Sequence, residues 1–368
     1  MLPPRRLQDP HAPTNQPNPD AAVRSTDSDA LLSRASAHSL GYLSDPYSLL
    51  FLSPAQRRSP EKRPPLINIG THARTWAVDE LVEQFLSRVA GAAGGGQVQV
   101  LSLGAGTDTR FWRMRKRWEE EKEKVGEWRC RRWVEVDFAE ATGAKARVVS
   151  SKQDLKGALG GAVKIEQGGL GLSSPLYALL PGDLRSLSSL TASLLSPPPS
   201  SSPSEPAEPL LDPFLPTLLL LECVTIYLNP EVTDAVLSWF TSTFGGARGS
   251  AVVSYDPFGL EDQFGAVMKR NLAARNLSLP GASSTPTLSS LTERLERNGV
   301  KGECGALSVK EIREGVVPAD ERERVTKIEQ IDEVEELNLV LSHYAVAWGN
   351  VSAAEGGTGE GIGLQKRS

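Results

Sequence analysis

The sequence has few of the residues that build disulfide frameworks and metal sites, and it has no long apolar run. Its 368 residues include three cysteines and four histidines, with no CxxC pair and no histidines at metal-ligand spacing. Neither a disulfide framework nor a zinc site is supported, and we predict no bound metal. No stretch approaches the ~18 continuous apolar residues of a membrane helix, and the N-terminus lacks the apolar core of a secretion signal. We therefore expect a cytoplasmic protein.

Composition and charge also limit the partners and the domain organisation. The net charge of −5 gives no reason to expect nucleic acid or an anionic membrane as a partner. The hydrophobic fraction of 39% is somewhat low, because polar, Pro- and Ser-rich stretches dilute it. We expect disordered tails at 1–28 and 350–368, one domain over 29–349, and an exposed low-complexity loop at 195–216.

The clearest motif is the stretch 97–112, which reads QVQVLSLGAGTDTRFW. A run of strand formers ends at a Gly-Ala-Gly turn that begins at Gly104, and a potential helix follows. Glycine permits a tight turn and lets a ligand lie against the backbone. Ligands of open α/β sheets bind at the carboxyl ends of the strands, where this turn would lie. Because Thr109 stands where GxGxxG needs its third glycine, we predict a nucleotide-type pocket that need not hold a pyrophosphate.

Further strand candidates alternate with helical segments after this turn. The strand candidates are 133–138, 176–180, 217–224, 251–255 and 343–348, the last as an edge strand. The alternation predicts a doubly wound α/β domain with a mostly parallel sheet. The helices before it are expected to cap the carboxyl edge of the sheet as a lid. The charged segment 113–132 is interpreted as a solvated helical hairpin or insertion.

Acidic residues at the predicted strand ends are candidates for ligand binding. Asp137 can accept the hydroxyls of a ribose, with a surface or capping role as the alternative. Asp183 beside the N–H of Leu184 can read an adenine edge, although an Asx turn or a helix cap would use the same residue. Glu222 interrupts an apolar strand, so it either has a structural partner or lines the cleft.

Two more residues would complete such a pocket. Arg74 offers a fixed cationic fork for a carboxylate, unless it is a surface arginine. Tyr227, just past the fourth strand, lies either in the cleft or in the core. A ligand with ribose, adenine, a cationic centre and an amino-acid end would use all of these residues, and S-adenosylmethionine is that ligand.

The motifs, taken in order, resemble the leucine carboxyl methyltransferases that methylate the C-terminal leucine of the protein phosphatase 2A catalytic subunit. The resemblance spans roughly 33–349. Its motifs are SLGYLSDPY, INIGTHAR, LSLGAGTDTRFW, VEVDF, GDLR, PTLLLLECVTIYL, DQFGAVMKRNL and HYAVAWG. The chain departs from the family chiefly at 113–132 and in the Pro/Ser loop before the fourth strand.

The resemblance implies an S-adenosylmethionine-dependent methyltransferase fold with an N-terminal helical lid, and it assigns roles to the residues. Arg74 would hold the cofactor's carboxylate together with Arg34, which stands where the family usually has lysine. Gly104 would line the methionine portion, Asp137 would bind the ribose, and Glu222 would lie near the amino-acid end. The implied cofactor-binding residues are Arg34, Arg74, Gly104, Asp137, Asp183, Leu184 and Glu222.

The implied chemistry needs no general base, because a C-terminal carboxylate is already ionised near neutral pH. Holding the two reactants in near-attack geometry can supply ~7–11 kcal/mol of the barrier reduction. Arg74 and Tyr227 are the predicted catalytic residues, with Arg74 as the group that positions the acceptor. The expected partner is the tail of the phosphatase catalytic subunit, bound by a monomer that has no nucleic-acid or membrane partner.

Three alternatives stay open at this point. One is a related carboxyl methyltransferase of tRNA wybutosine synthesis, although those chains are expected to carry a long β-propeller extension. The second is a nucleotide-binding oxidoreductase, which the missing third glycine disfavours. The third is a non-catalytic binding module, which the presence of Arg74, Asp137 and Glu222 disfavours.

Overall fold

A computed structural model describes residues 19–88, 96–197, 208–247, 249–352 and 361–367. The strands are β1 (Val98–Leu103), β2 (Cys130–Asp137), β3 (Lys164–Glu166), β4 (Gly171–Ser173), β5 (Tyr177–Pro181), β6 (Thr217–Glu222), β7 (Ala251–Pro257), β8 (Cys304–Ser308) and β9 (Tyr344–Asn350). The described residues form one nine-stranded sheet in the order β3-β4-β5-β2-β1-β6-β7-β9-β8.

The middle of the sheet is parallel. β5, β2, β1, β6 and β7 run in one direction, whereas β3 and β4 at one edge and β9 and β8 at the other pair antiparallel. Every residue of β1 is buried, as are the first five of β6, because strands at the centre of a parallel sheet are covered on both faces. The predicted mostly parallel α/β sheet is confirmed.

Helices cover both faces of the sheet. They are α1 (Pro19–Ser39), α2 (Ser48–Phe51), α3 (Pro54–Arg58), α4 (Pro65–Arg88), α5 (Arg110–Glu120), α6 (Lys122–Val125), α7 (Ala139–Ser151), α8 (Gln153–Lys156), α9 (Leu187–Leu195), α10 (Pro230–Phe244), α11 (Gln263–Ala273), α12 (Leu288–Arg297), α13 (Val309–Gly315), α14 (Ala319–Thr326) and α15 (Val334–Ser342). Alternate residues of β1 face opposite cores, Val98 and Val100 toward one and Leu101 and Leu103 toward the other. The doubly wound arrangement follows from this alternation.

The two chain ends are more ordered than the composition predicts. α1 begins at Pro19, so the prediction of disorder is wrong for 19–28, while 1–18 lie outside the described residues. Composition was misleading here because charged side chains such as Asp20 and Asp27 hold the first turns of the helix, whereas its buried apolar residues, Leu31, Ala35 and Ala37, come later.

The segment 361–367 likewise packs against the domain, although 353–360 lie outside the described residues. Ile362 and Leu364 are buried, and the N–H of Gly363 donates to Gln84 Oε1 at 2.9 Å. The predicted disordered tail is therefore wrong for this segment, because two alternating apolar residues are enough to anchor it.

The strand predicted over 343–348 exists, but its place in the sheet differs. β9 lies between β7 and β8, so the prediction of an edge strand is wrong. The edge is β8, a short and only partly buried strand with little apolar signal in its sequence. The charged segment 113–132 contains most of α5, whose Met114 and Trp118 are buried, together with α6 and the start of β2.

The low-complexity loop leaves and rejoins the domain at one point. α9 ends at Leu195, and the N–H of Leu211 donates to the carbonyl of Leu194 at 3.0 Å. Leu211 is fully buried, whereas 198–207 lie outside the described residues. No helix among the described residues is long and apolar enough to cross a membrane.

Candidate functional site

A cavity of about 530 Å³ lies at the carboxyl ends of the parallel strands. This volume is typical of small-molecule sites, which span ~300–1,000 Å³. Its walls are the segments that follow β1, β2, β5 and β6, together with residues of α1 and α4. All of the residues predicted for the site line it: Arg34, Arg74, Gly104, Asp137, Asp183, Leu184, Glu222 and Tyr227.

The glycine turn after β1 forms the floor of this cavity and requires glycine for two reasons. Gly104 and Gly106 have φ values of +67° and +46°, which other residues rarely adopt. A Cβ atom on Gly104 would also lie 2.5 Å from Val224 Cγ2. The turn therefore keeps its backbone close to the space that a ligand would occupy.

The backbone N–H groups of this turn are all used by the protein. Residues 104–107 donate to Val136 O (2.8 and 3.3 Å), Asp137 Oδ2 (2.7 Å) and Asp27 Oδ1 (2.8 Å). A pyrophosphate cradle needs such groups to be free for phosphate oxygens. This saturation disfavours the dinucleotide-dependent oxidoreductase.

Asp137 lies at the end of β2 and faces the cavity. Its Oδ2 accepts from Gly106, and its Oδ1 accepts from the N–H of Phe138 at 2.6 Å. Burial raises the pKa of Asp137, and these two hydrogen bonds oppose the shift. Each carboxylate oxygen can accept more than one hydrogen bond, so the side chain keeps capacity for ribose hydroxyls.

Asp183 and Leu184 lie in the segment after β5. The N–H of Arg185 donates to Asp183 Oδ1 at 2.9 Å, and its guanidinium also binds both carboxylate oxygens. These hydrogen bonds lower the pKa of Asp183. The Asx turn considered as the alternative is therefore present, while both residues still line the cavity. A role for them in adenine binding stays a prediction.

Glu222 lines the cavity and also has structural partners, so both interpretations of this residue apply. Its Oε2 accepts from Arg74 Nε at 2.9 Å, and its Oε1 accepts from Arg110. Arg110 is 2% exposed and also binds Asp79 and Asp108, each at 2.7 Å. A buried ionic network is tolerable only when its charges are paired and hydrogen-bonded, as here.

Sequence reasoning missed the centre of this network. Arg110 ends the motif GAGTDTR that begins with the glycine turn, so an arginine next to the predicted ligand site was an available signal. Asp79 comes from α4 and meets Arg110 only in the fold, so no local pattern indicates their contact.

Arg74 has the geometry of a carboxylate-binding residue. Its guanidinium carbon lies 4.4 Å from the centroid of the Tyr255 ring, and its Nε is held by Glu222. Burial alone would lower the pKa of Arg74, but Glu222 outweighs this effect and raises it. Both Nη groups lack a hydrogen-bond partner among the described residues, which leaves a fork for a planar carboxylate.

Arg34 lines the cavity but binds the glycine turn. Its Nη2 donates to the carbonyl and to Oγ1 of Thr107, each at 2.8 Å. Its Nε lies 4.0 Å from Asp45 Oδ2. The contact between Arg34 and a cofactor carboxylate therefore stays a prediction.

Tyr227 belongs to a short 3₁₀ turn after β6. It lines the cavity and also packs against a small apolar cluster that includes Ile226. Buried Asp256 holds this turn by accepting from Thr225 Oγ1 at 2.8 Å and from the N–H of Ile226 at 3.2 Å. Burial raises the pKa of Tyr227 well above its ordinary value and that of Asp256 to about 7. The phenol therefore stays protonated near neutral pH.

Metal ligands are not grouped at the cavity. In the ranges that the structure describes, no cluster of three or more His, Cys, Asp or Glu side chains is placed to hold a metal ion.

Comparison with known proteins identifies the family. Residues 22–191 match the model of the family described as Leucine carboxyl methyltransferase. Leucine carboxyl methyltransferase 1 of Cryptococcus neoformans is 43% identical, covering 95% of this chain and 97% of the relative. The proteins of the same name in Aspergillus fumigatus and Rattus norvegicus are 36% and 30% identical, covering 91% and 93% of this chain and 84% and 93% of the relatives. The chain therefore belongs to the leucine carboxyl methyltransferase family and is an S-adenosylmethionine-dependent carboxyl methyltransferase.

Proposed function

We propose that this enzyme methylates the α-carboxylate of the C-terminal leucine of the protein phosphatase 2A catalytic subunit, giving a methyl ester. The observation that carries the proposal is the guanidinium group of Arg74, which is open to the cavity. The same cavity is lined by Asp137, the carboxylate proposed to bind the ribose. The ordered family motifs support the phosphatase as the acceptor. We further propose that the enzyme acts as a monomer in the cytoplasm, without nucleic acid or membrane.

The residues present fit S-adenosylmethionine. Asp137 keeps accepting capacity for the ribose hydroxyls, and the Asp183-Leu184 segment, which lines the same cavity, is proposed to bind the adenine edge. Arg74, supported by Glu222, offers a cation to an α-carboxylate. The saturated N–H groups of the glycine turn suit a ligand that has no phosphate. When bound, the cofactor supplies an electrophilic methyl group on a sulfonium.

The chain's own residues then position the acceptor. A C-terminal carboxylate is ionised near neutral pH and needs no base. Tyr227, whose phenol keeps its proton, acts as a hydrogen-bond donor rather than a base. Besides the cofactor's carboxylate, Arg74 orients the acceptor's carboxylate, and its pairing with Glu222 weakens the attraction to both. This balance matters, because a clamp that binds the ionised acceptor too tightly stabilises the ground state.

The test is transfer of radiolabel from the cofactor to three acceptors: intact phosphatase, phosphatase lacking its last leucine, and tRNA. We expect label in the intact phosphatase alone, as a base-labile ester. Equal labelling of the truncated phosphatase would show a different acceptor group, and labelling of tRNA would favour the wybutosine-type enzyme.

The role of Arg74 is tested in the same assay with Arg74→Ala. We expect turnover to fall by roughly 10²-fold or more, because a positioning error of about 1 Å can cost that much. Arg57→Ala, on the exposed surface of α3, is the matched control. A near-normal rate for Arg74→Ala would show that Arg74 does not position the acceptor and would contradict this assignment.

A further inference from the structure

α1 forms the wall of the cavity that faces the strand ends, and among the described residues its hydrogen bonds to the glycine turn are made to Thr107. Asp27 and Arg34 are seven positions apart, so they lie two turns apart on the same face of the helix. Both side chains bind Thr107. Two turns of the helix are thus fastened to one residue of the cofactor-binding turn.

Within the described residues, Thr107 makes all of its polar contacts with α1. Its N–H and its Oγ1 hydroxyl donate to Asp27 Oδ1 at 2.8 and 2.7 Å. Its carbonyl oxygen and Oγ1 accept from Arg34 Nη2, each at 2.8 Å. Hydrogen bonds to charged groups are about twice as strong as neutral ones, so these four contacts are a substantial attachment.

Asp27 also fills the position next to the glycines. A Cβ atom at Gly106 would lie 2.4 Å from Asp27 Oδ1, so the carboxylate rests directly on the turn. It takes the Thr107 N–H, the group that a phosphate would bind in a dinucleotide site. The turn therefore has its hydrogen bonds satisfied only when α1 is in place.

We propose that Asp27 and Thr107 form a clamp that couples closure of α1 to the geometry of the glycine turn. Asp27 is then a positioning residue that acts on the cofactor through Thr107. The proposal rests on the proposed function in one respect, because it takes this cavity as the S-adenosylmethionine site. It does not depend on the identity of the acceptor. Opening of α1 frees the Thr107 N–H and loosens the floor against which the methionine portion is predicted to lie.

The first test is a double-mutant cycle with Asp27→Asn and Thr107→Val in the full chain. Affinity for S-adenosylhomocysteine is measured by isothermal titration calorimetry. We expect each single variant to bind roughly tenfold more weakly, since each loses or weakens hydrogen bonds that involve a charged group. The double variant should be little weaker than the poorer single one. Ser25→Ala is the matched control, because this exposed hydroxyl donates to Ala22 O of its own helix.

The second test is hydrogen exchange of 19–39 without ligand, with exchange of β1 as a check that the variants fold. We expect faster exchange in α1 for both single variants and unchanged exchange in β1. The rate of methyl transfer at saturating cofactor should change less than about threefold, because the proposed clamp acts on cofactor binding.

Wild-type affinity and exchange in Asp27→Asn would overturn the clamp, as would strictly additive effects in the double variant. If the wild type does not methylate the phosphatase, the proposed acceptor is wrong. The clamp is then still decided by the binding and exchange measurements, so the two failures are distinguishable.

Discussion

The two walls of the cavity are built from different interactions. The strand-end wall rests on buried strands, and its central cation, Arg110, is 2% exposed. The α1 wall is joined to its surroundings partly through exposed ion pairs, such as Asp20 with Arg185 and Asp29 with Arg275. Buried pairs are screened little by salt, whereas exposed pairs are screened strongly. We therefore expect the attachment of the α1 wall to be more sensitive to salt than the strand-end wall is.

Breaking the strand-end wall should have the largest effect. Arg110→Met leaves three carboxylates, those of Asp79, Asp108 and Glu222, without their common partner. We expect the free energy of unfolding to fall by about 3–5 kcal/mol, the usual cost of removing one side of a buried pair. Urea denaturation measures this change. Arg117→Met on the same helix, half-exposed and paired with Glu83, is the control and should cost less than about 1 kcal/mol. Similar losses in the two variants would remove the distinction between the walls.

Asp137→Ala tests whether the strand-end wall binds the ribose. It removes an acceptor from the cavity and frees the N–H of Gly106. We expect affinity for S-adenosylmethionine to fall roughly 10- to 100-fold, from the loss of hydrogen bonds to a charged group. Titration calorimetry measures it, with Asp154→Ala on the exposed surface of α8 as the control. Tight binding by Asp137→Ala would remove the ribose assignment.

Asp256 predicts a pH effect on the turn that carries Tyr227. Its pKa rises from 3.8 to about 7 in the folded protein because the carboxyl group is buried. The folded state therefore holds this proton more tightly than the unfolded chain does. The resulting stabilisation is complete below about pH 4 and is lost as the pH rises to about 7.

The measurement is urea unfolding across this pH range, compared with Asp256→Asn. The wild type should lose on the order of 1–4 kcal/mol relative to the variant, because each unit of pKa shift is worth about 1.4 kcal/mol. A constant difference between the two proteins at all pH values would contradict the assignment.

The smallest effect is expected on the α1 wall, from Arg185→Gln. The Arg185 side chain is 47% exposed and that of its partner Asp20 is 31% exposed. Exposed pairs contribute roughly 0–1 kcal/mol, so we expect little change in the free energy of unfolding and a change that vanishes at high salt. A loss as large as that of Arg110→Met would show that α1 is a fixed part of the fold.

The strand-end wall was predictable because its signals are local in the sequence. A run of strand-forming residues indicates where β1 ends. The residues that follow the strands of a parallel sheet lie at the edge where ligands bind. Gly104, Asp137 and Glu222 were found in this way, and all three line the cavity. Arg110 was missed because its role depends on its contact with Asp79, which lies 31 residues earlier in the sequence.

The α1 wall was less predictable for a physical reason. Residues 19–28 have little apolar content, and composition equates low apolar content with disorder. Asp27 is ordered by hydrogen bonds to Thr107, 80 residues later, which no periodicity can indicate. β8 was missed for a related reason, since its partial burial leaves little hydrophobic pattern.

The hydrogen bond between Leu194 and Leu211 has a consequence for engineering the chain. The two ends of the low-complexity segment already meet, so a change in its length alters the stability mainly through the entropy of closing the loop. Each doubling of a loop costs only ~0.6 kcal/mol, so 198–207 should accept shortening or an inserted reporter domain at little cost in stability. Leu211 itself should not tolerate replacement, because it is fully buried and fixes the point of return.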